Sequence, residues 1–418
     1  LGCFDPVFST ETLFLTCYIG DLTMAAIQGL RGTGEFTTDF RPKNYRELFT
    51  LLEPNGNAPL NALLAMGSSE GTDDPEYKNF RDELPDRKLK VNGAVSSTST
   101  TTVTIDASDD NKFAITGAIV VNSETGEVMH VTADTTATTL TVARNIGGTS
   151  HQIADNAELF IAGFAAAEGG NAPTAISFDA TVASNYTQIF RTAFQVSNTL
   201  NSTYLRTGDK MDEAMTKALK LHMSDIERAM FFGVKHEENG SSAQPTRFTG
   251  GLLNSLTNVV DVTTDFASYG GSTAGQMTEA GFDSLLISSV FKYGSKQKIA
   301  FVGETVANQL QQIGKDRWKP TTYEGAYGVN LTQYTTFAGD LMVHLHPQFR
   351  QIPNMKNAMI IVDFPYLSYR YLEGRDTQLL ENRQAPDADS IKSEYLTECG
   401  LELLQDKVHS YIKNWSSR

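Results

Sequence analysis

Between Met211 and Phe232 the chain runs without a single glycine or proline. As one helix this stretch spans about 30 Å, the width of a small domain. Met211, Met215, Ala218, Leu219, Ile226, Ala229 and Met230 fall within one stripe broad enough to face a core. The same periodicity assigns Glu213, Lys217, Lys220, Ser224 and Glu227 to a solvated side, with Glu213 and Lys217 in the favourable order four apart. Gly233 marks the end. His222 lies in the apolar stripe, and Asp225, one turn on, is its expected hydrogen-bond partner. A stripe of this length needs a covering layer. The preceding segment supplies a candidate: Tyr186, Phe190, Phe194 and Val196 share one parity while Thr187, Arg191 and Gln195 take the other, as in a strand with one buried face.

From about Lys88 to Ala166 the texture changes to Thr, Val and Ala with alternating apolar positions, such as Val103 and Ile105, or Leu140 and Val142. This predicts a small all-β module. Ala118 to Val121 and Glu127 to Val131 read as hairpin arms joined by Ser123-Glu124-Thr125-Gly126, Leu159-Phe160-Ile161 as a later strand, and Ala165 to Gly170 as a linker. Beyond the long helix, helix and strand alternate: Glu279 to Val290 helical, Lys298 to Val302 a strand, Glu304 to Ile313 helical, then strands near Leu341 to Leu345 and Met359 to Val362. The expected architecture is an α+β body carrying a β insert.

Towards the start, Tyr45, Leu48, Phe49 and Leu52 define one helical face, stopped by Glu53-Pro54-Asn55-Gly56. A second short helix is expected from Pro59 through Leu60, Leu63 and Leu64, with Gly67 as its left-handed cap, and Asp73 to Tyr77 reads as a turn. The first methionine is Met24, preceded by the apolar run Leu13 to Ile19, which is too short to span a bilayer. No Lys or Arg occurs before Arg31, so the run lacks the basic start of a signal peptide. Residues 1–23 are expected outside the folded body, with Met24 as the native start.

Hydrophobic residues make up 40% and charged residues 20%, so burial alone can offset the entropy of folding. Cys3, Cys17 and Cys399 show no CxxC spacing and form no disulfide framework, which favours a reducing compartment. The net charge of −15 argues against a broad grip on phosphate backbones. It does not argue against enclosing DNA, because a wall that repels packaged nucleic acid lets it be packed and released.

No motif in the sequence assigns a catalytic, cofactor-binding or metal residue. Gly67-Ser68-Ser69-Glu70-Gly71 has the letters of a nucleophile elbow, which requires the serine on a strained turn between strand and helix. Here the preceding residues read as helix and the following ones as a turn, so the match is ascribed to chance. His344 and His346 share one face of an expected strand, but no third ligand lies at a suitable spacing and they read as structural. Glu237 and Glu238 read as a solvated acidic turn. Neither a phosphate loop nor a dinucleotide fingerprint occurs.

Three ordered segments, Phe40 to Glu47, Pro54 to Leu60 and Asp73 to Tyr77, resemble the N-terminal part of a family of tailed-bacteriophage major capsid proteins. Asn185 to Thr192 followed by the helix containing Asp225-Ile226-Glu227-Arg228-Ala229 is similar to that family's strand and spine helix, as is the β insert with Thr125-Gly126-Glu127 and Arg144 to Thr149. The resemblance implies a Hong Kong 97-type fold: an N-terminal arm at 1–58, an extended loop at 59–87 and 167–196, an inserted β domain at 88–166, a peripheral domain with the spine helix at 197–275, and an axial domain with a return to the peripheral domain at 276–418. It implies a non-enzymatic subunit of hexamers and pentamers in an icosahedral virion shell around double-stranded DNA, assembled in the bacterial host cytoplasm, without cofactor or membrane. Portal, scaffold and decoration proteins are the candidate further partners. The alternatives are an encapsulin-type nanocompartment shell, which shares the fold, and more distantly a cytosolic enzyme with a β substrate-binding module.

Overall fold

The structure, a computed structural model, describes residues 58–60, 64, 68–177, 179–203, 208–240, 244–269, 273–313, 318–320 and 332–416. The expected helix around Tyr45 to Leu52, the Met24 start, Cys3, Cys17 and the Gly67 cap lie outside the described residues.

Along the chain, β1 (Ser68–Thr72) and β2 (Glu76–Arg81) precede a module of β3 (Lys88–Lys90), β4 (Thr102–Thr104), β5 (Ala118–Asn122), β6 (Val128–Thr136), β7 (Thr139–Ala143) and β8 (Glu158–Phe164). Then come β9 (Thr181–Tyr186), β10 (Gln188–Ser197), the long helix α1 (Lys210–Phe232), β11 (His236–Glu238), β12 (Thr246–Phe248) and β13 (Val259–Asp261). The last third contains α2 (Glu279–Leu285), β14 (Gln297–Val302), α3 (Glu304–Ile313), β15 (Trp318–Pro320), β16 (Thr332–Thr335), β17 (Asp340–Leu345), β18 (Met359–Val362), β19 (Leu367–Leu372), β20 (Gln378–Leu380), β21 (Ser390–Leu403) and β22 (Ser410–Lys413).

The helix α1 starts where the Asp209 carboxylate accepts the Met211 N–H at 2.8 Å, and Asp212 and Glu213 complement the dipole of its first turn. It stops at Gly233 because the returning chain passes too close for any side chain. A Cβ there would lie 2.3 Å from the Thr249 carbonyl oxygen and 2.5 Å from that of Ala229. The helix packs on the sheet β1-β19-β21-β10, with β20 on β21, and its Ile226, Met230 and Phe231 join Phe190, Cys399 and Leu401 in one core. Within β10 the even parity holds, since Phe190 and Val196 are buried while Ile189 and Arg191 are exposed, but Thr187, expected on the exposed side, is buried just before the strand, where its hydroxyl lies 3.3 Å from Glu398.

A second sheet, β13-β22-β18-β14-β17-β16-β15, builds another core with α2 and α3, in which Phe282, Tyr334 and Trp415 pack together. The strands and helices expected here are present, and the Glu279 to Val290 helix widens into a π-type turn over its last residues, Leu286–Val290.

The module is a sheet ordered β3-β8-β5-β6-β7-β4, and a bridge between Val91 and Ile105 joins its two outer strands. Its core, with Leu89, Val103, Val120, Met129, Leu140 and Leu159, consists of module residues alone. The turn after β5 has Gly126 at φ 71°, a left-handed conformation that glycine adopts without strain. Asp73 to Pro75 form the bend expected there, but Glu76 and Tyr77 already belong to β2.

Candidate assembly surface

Where α1 meets the body, its supposed polar face is partly an interior one. Ser224 and Glu227 are buried, against expectation. The Glu227 carboxylate accepts the Leu60 N–H at 2.8 Å and pairs with His346 Nε2 at 3.0 Å, and Gln348 Nε2 donates to Ser224 Oγ at 3.0 Å. His346 Nδ1 accepts the Gln348 N–H, which leaves the proton on Nε2 to face Glu227. Phe349 stacks on the imidazole at 4.4 Å between ring centres. These contacts tie Leu60, α1 and the segment after β17 to one another.

His222 is buried as expected but does not use Asp225. Thr192 Oγ1 lies 3.0 Å from its Nδ1 and Thr397 Oγ1 2.8 Å from its Nε2, because the apolar stripe turns the ring towards β10 and β21. Burial lowers its pKa, with the Asp225 charge opposing.

None of the motif residues assembles a catalytic constellation. Ser68 and Ser69 lie inside β1, in parallel register with Ser368 and Tyr369 of β19, so no strand-to-helix elbow exists. His344 and His346 are both buried, and no group of three metal-binding side chains occurs among the described residues. Glu237 is not in a free turn: it sits in β11 and pairs with Arg247 of β12 at 2.9 Å. The Cys399 thiol is fully buried, which pushes it up to about 12 and keeps it protonated and unreactive. Lys298, also buried, gives all three ammonium protons to the carbonyls of Val290, Tyr293 and Val408 at 2.6–2.8 Å, so it braces the second sheet and offers no nucleophile.

The surface is more informative. β2 and β9 form a two-stranded ribbon that leads out of the body and into the module. Its inner face is bolted down: Tyr77 Oη and Asn185 Nδ2 both donate to the Leu401 carbonyl, at 2.9 and 2.8 Å, and Asn79 Nδ2 donates to that of Leu403. Its outer face carries Phe80 directly opposite Val182, with 80% and 58% of their surfaces exposed, and Leu84 follows at 81%. Directly opposed side chains on a ribbon form one continuous patch. In sequence, Tyr77, Asn79 and Arg81 alternate with Lys78 and Phe80, a strand pattern that puts an aromatic on the solvent side.

Inside the module, Arg144 grips both oxygens of Glu127, at 2.9 and 2.6 Å, and Nη1 donates to the Ser97 carbonyl. The His151 N–H adds a third donor to Glu127. Burial pushes the Glu127 carboxyl up, but the guanidinium and the His151 N–H outweigh it and leave it below the usual range. This pair fixes both ends of the loop from Arg144 to His151, at whose tip Ile146 is exposed.

Among the described residues, the interior is braced, no reactive constellation occurs, and the ribbon leaves Phe80 and Val182 exposed. Residues 32–416 match the SU10 major capsid protein family. The chain belongs to that family. A curated relative, the major capsid protein of Pseudomonas phage PaMx41, is 26% identical over 362 residues, 83% of this chain and 84% of that one. Among solved structures, the capsid of a native GTA particle is similar at a TM-score of 0.45 and 9% identity, over 93% of this chain and 100% of that one. The capsid of Myoviridae phage XM1 gives 0.42 and 10%, over 93% and 100%. As a member of the SU10 capsid family the chain is a structural protein of a virion shell and not an enzyme.

Proposed function

We propose that this capsid subunit builds the icosahedral head of a tailed bacteriophage, as hexamers and pentamers with a Hong Kong 97-type arrangement, around double-stranded DNA. The observation that carries this reading is the outward ribbon with Phe80 and Val182. A lone subunit leaves that apolar pair in water, whereas a second copy seated on it removes the patch. In this reading 1–58 is the N-terminal arm and 59–87 with 167–196 the extended loop, whose base is the ribbon. The β domain at 88–166 is inserted at the ribbon's far end, 197–275 is the peripheral domain, and 276–418 comprises the axial domain and the return to the peripheral one. Assembly in the bacterial host cytoplasm, with portal, scaffold and decoration proteins as partners, follows from the same reading. The net charge of −15 suits a wall that holds DNA without gripping it.

Phe80→Asp combined with Val182→Asp tests this. Both positions are exposed, so the subunit is expected to fold with an unchanged circular dichroism spectrum yet to form no shells in electron micrographs. Shells at wild-type yield would contradict the reading. Nucleic acid in particles from infected cells is expected, and a protein cargo in its place would favour the encapsulin-type alternative.

A further inference from the structure

A second exposed apolar patch lies on the outer wall of the β module. Leu159, Val120 and Met129 point into the module core, so their neighbours Phe160, Val121 and Val128 point outwards. Val121 stands directly opposite Phe160 on one side and Val128 on the other, so the three make one row across β8, β5 and β6. Ile146 extends the row, because its N–H donates to the Val128 carbonyl at 3.2 Å. Phe160 is 41% exposed and Ile146 47%, with Val121 and Val128 partly exposed between them. Strand propensity accounts for a valine or a phenylalanine within a strand. It does not account for Ile146, which sits in a loop between Asn145 at φ 63° and Gly147 at φ 72°. Arg144 and the His151 N–H, both bound to Glu127, fix the two ends of that loop, so the isoleucine is held out in water. The module core is complete without any of these four side chains.

We propose that this row receives the Phe80 and Val182 patch on the ribbon of a second copy. The proposal deepens the shell reading and rests on it for the close approach of copies. Both patches are exposed in a single copy, so neither covers the other within it. Charge favours the ribbon as the mate over a second module. Residues 88–166 carry four basic and eight acidic side chains, whereas β2 and β9 carry Lys78 and Arg81 against Glu76 alone. Two module walls therefore repel each other, and a ribbon and a wall do not. The contact joins two different patches, so each copy gives one and receives the other, head to tail, and the chain of copies closes into a ring where the rotation permits. Its size suits a subunit that must stay soluble before assembly. Each phenylalanine buries about 150–250 Å², so the paired patches fall short of the about 1,200 Å² of a stable complex. Single contacts dissociate, and repetition around a ring holds them.

Crosslinking between full-length subunits tests the contact whether or not shells form. In a chain with Cys3→Ser and Cys17→Ser, one preparation carries Lys78→Cys, on the ribbon face that bears Phe80, and another carries Gly148→Cys, in open space two residues from Ile146. Cys399 is buried and stays silent. Mixed and treated with a bifunctional maleimide, the two are expected to give dimers with one copy of each. Phe160→Asp with Ile146→Asp in the second preparation is expected to lower that yield by on the order of tenfold. A charge swap removes any dependence on that variant's folding. Phe80→Asp in the first preparation or Phe160→Lys in the second lowers the yield alone, the two together restore it, and 1 M NaCl abolishes the recovery. Crosslinks only between like positions, an undiminished yield with either single substitution, or no recovery in the swap would overturn the contact. Shells without mixed dimers would overturn the contact alone. Mixed dimers from a protein that forms no shells would overturn the shell reading and leave the contact standing.

Discussion

His346 Nε2 and Glu227 Oε1 lie 3.0 Å apart with neither side chain exposed to solvent. The same carboxylate oxygen holds the Leu60 N–H, so one glutamate on the long helix secures two distant segments. Glu227→Ala leaves the imidazole and the peptide N–H buried without an acceptor, at an expected cost of about 3 kcal/mol or more. Glu227→Gln keeps an acceptor oxygen and is expected to cost clearly less. Denaturant unfolding of the two variants measures the difference; equal midpoints would contradict the assigned role.

The helix itself offers a sharper comparison. Ile226 is 2% exposed and Leu221 is 61% exposed, although both are aliphatic and lie less than two turns apart. Ile226→Asp buries an unpaired carboxylate and is expected to cost several kcal/mol, enough to abolish folded subunits. Leu221→Asp stays in water and is expected to cost less than about 1 kcal/mol. Soluble yield and thermal unfolding distinguish them.

Acid is expected to weaken the body through His409. Burial, helped by the Lys298 charge, lowers this imidazole to about 4, and its Nδ1 accepts the Asp363 N–H at 3.1 Å. An unfolded histidine titrates near 6.5, so between about 6.5 and 4 the unfolded chain binds the extra proton and the folded one does not. Stability is therefore complete above about pH 6.5 and falls as pH drops to about 4, by about 3 kcal/mol from this residue. His222, also lowered by burial, acts in the same direction. Unfolding free energies across this range check the sign, and His409→Gln is expected to flatten the profile.

The module has its own core and its own buried ion pair, so damage to one part is expected to stay there. Arg144→Ala strands the Glu127 carboxylate, which is expected to cost about 3–5 kcal/mol and melt the module at a lower temperature while the body transition stays put. Replacing Lys88 to Ala166 with a short Gly/Ser linker is expected to leave a soluble body, because β2 and β9 already bring the two chain ends side by side. Differential scanning calorimetry of Arg144→Ala and the solubility of the deletion variant test these points.

Periodicity carried most of the fold. The uninterrupted run of α1, the parity of β10 and the alternation in the module are direct consequences of apolar spacing, and the structure bears them out. Glu227 and Ser224 were misassigned for a physical reason: periodicity places a polar residue outside unless a partner is known, and theirs, His346 and Gln348, lie more than a hundred residues away. His222 was placed correctly in the interior, but its Thr192 and Thr397 partners depend on strand pairing that no local pattern encodes. The exposed pair Phe80 and Val182 was missed because cross-strand register brings the two together.

The central claim is that this chain is a shell subunit. Electron microscopy of the purified, expressed full-length protein tests it most directly: the account predicts closed, uniform icosahedral particles with hexameric and pentameric clusters, whereas a monodisperse monomer that never forms particles would contradict it.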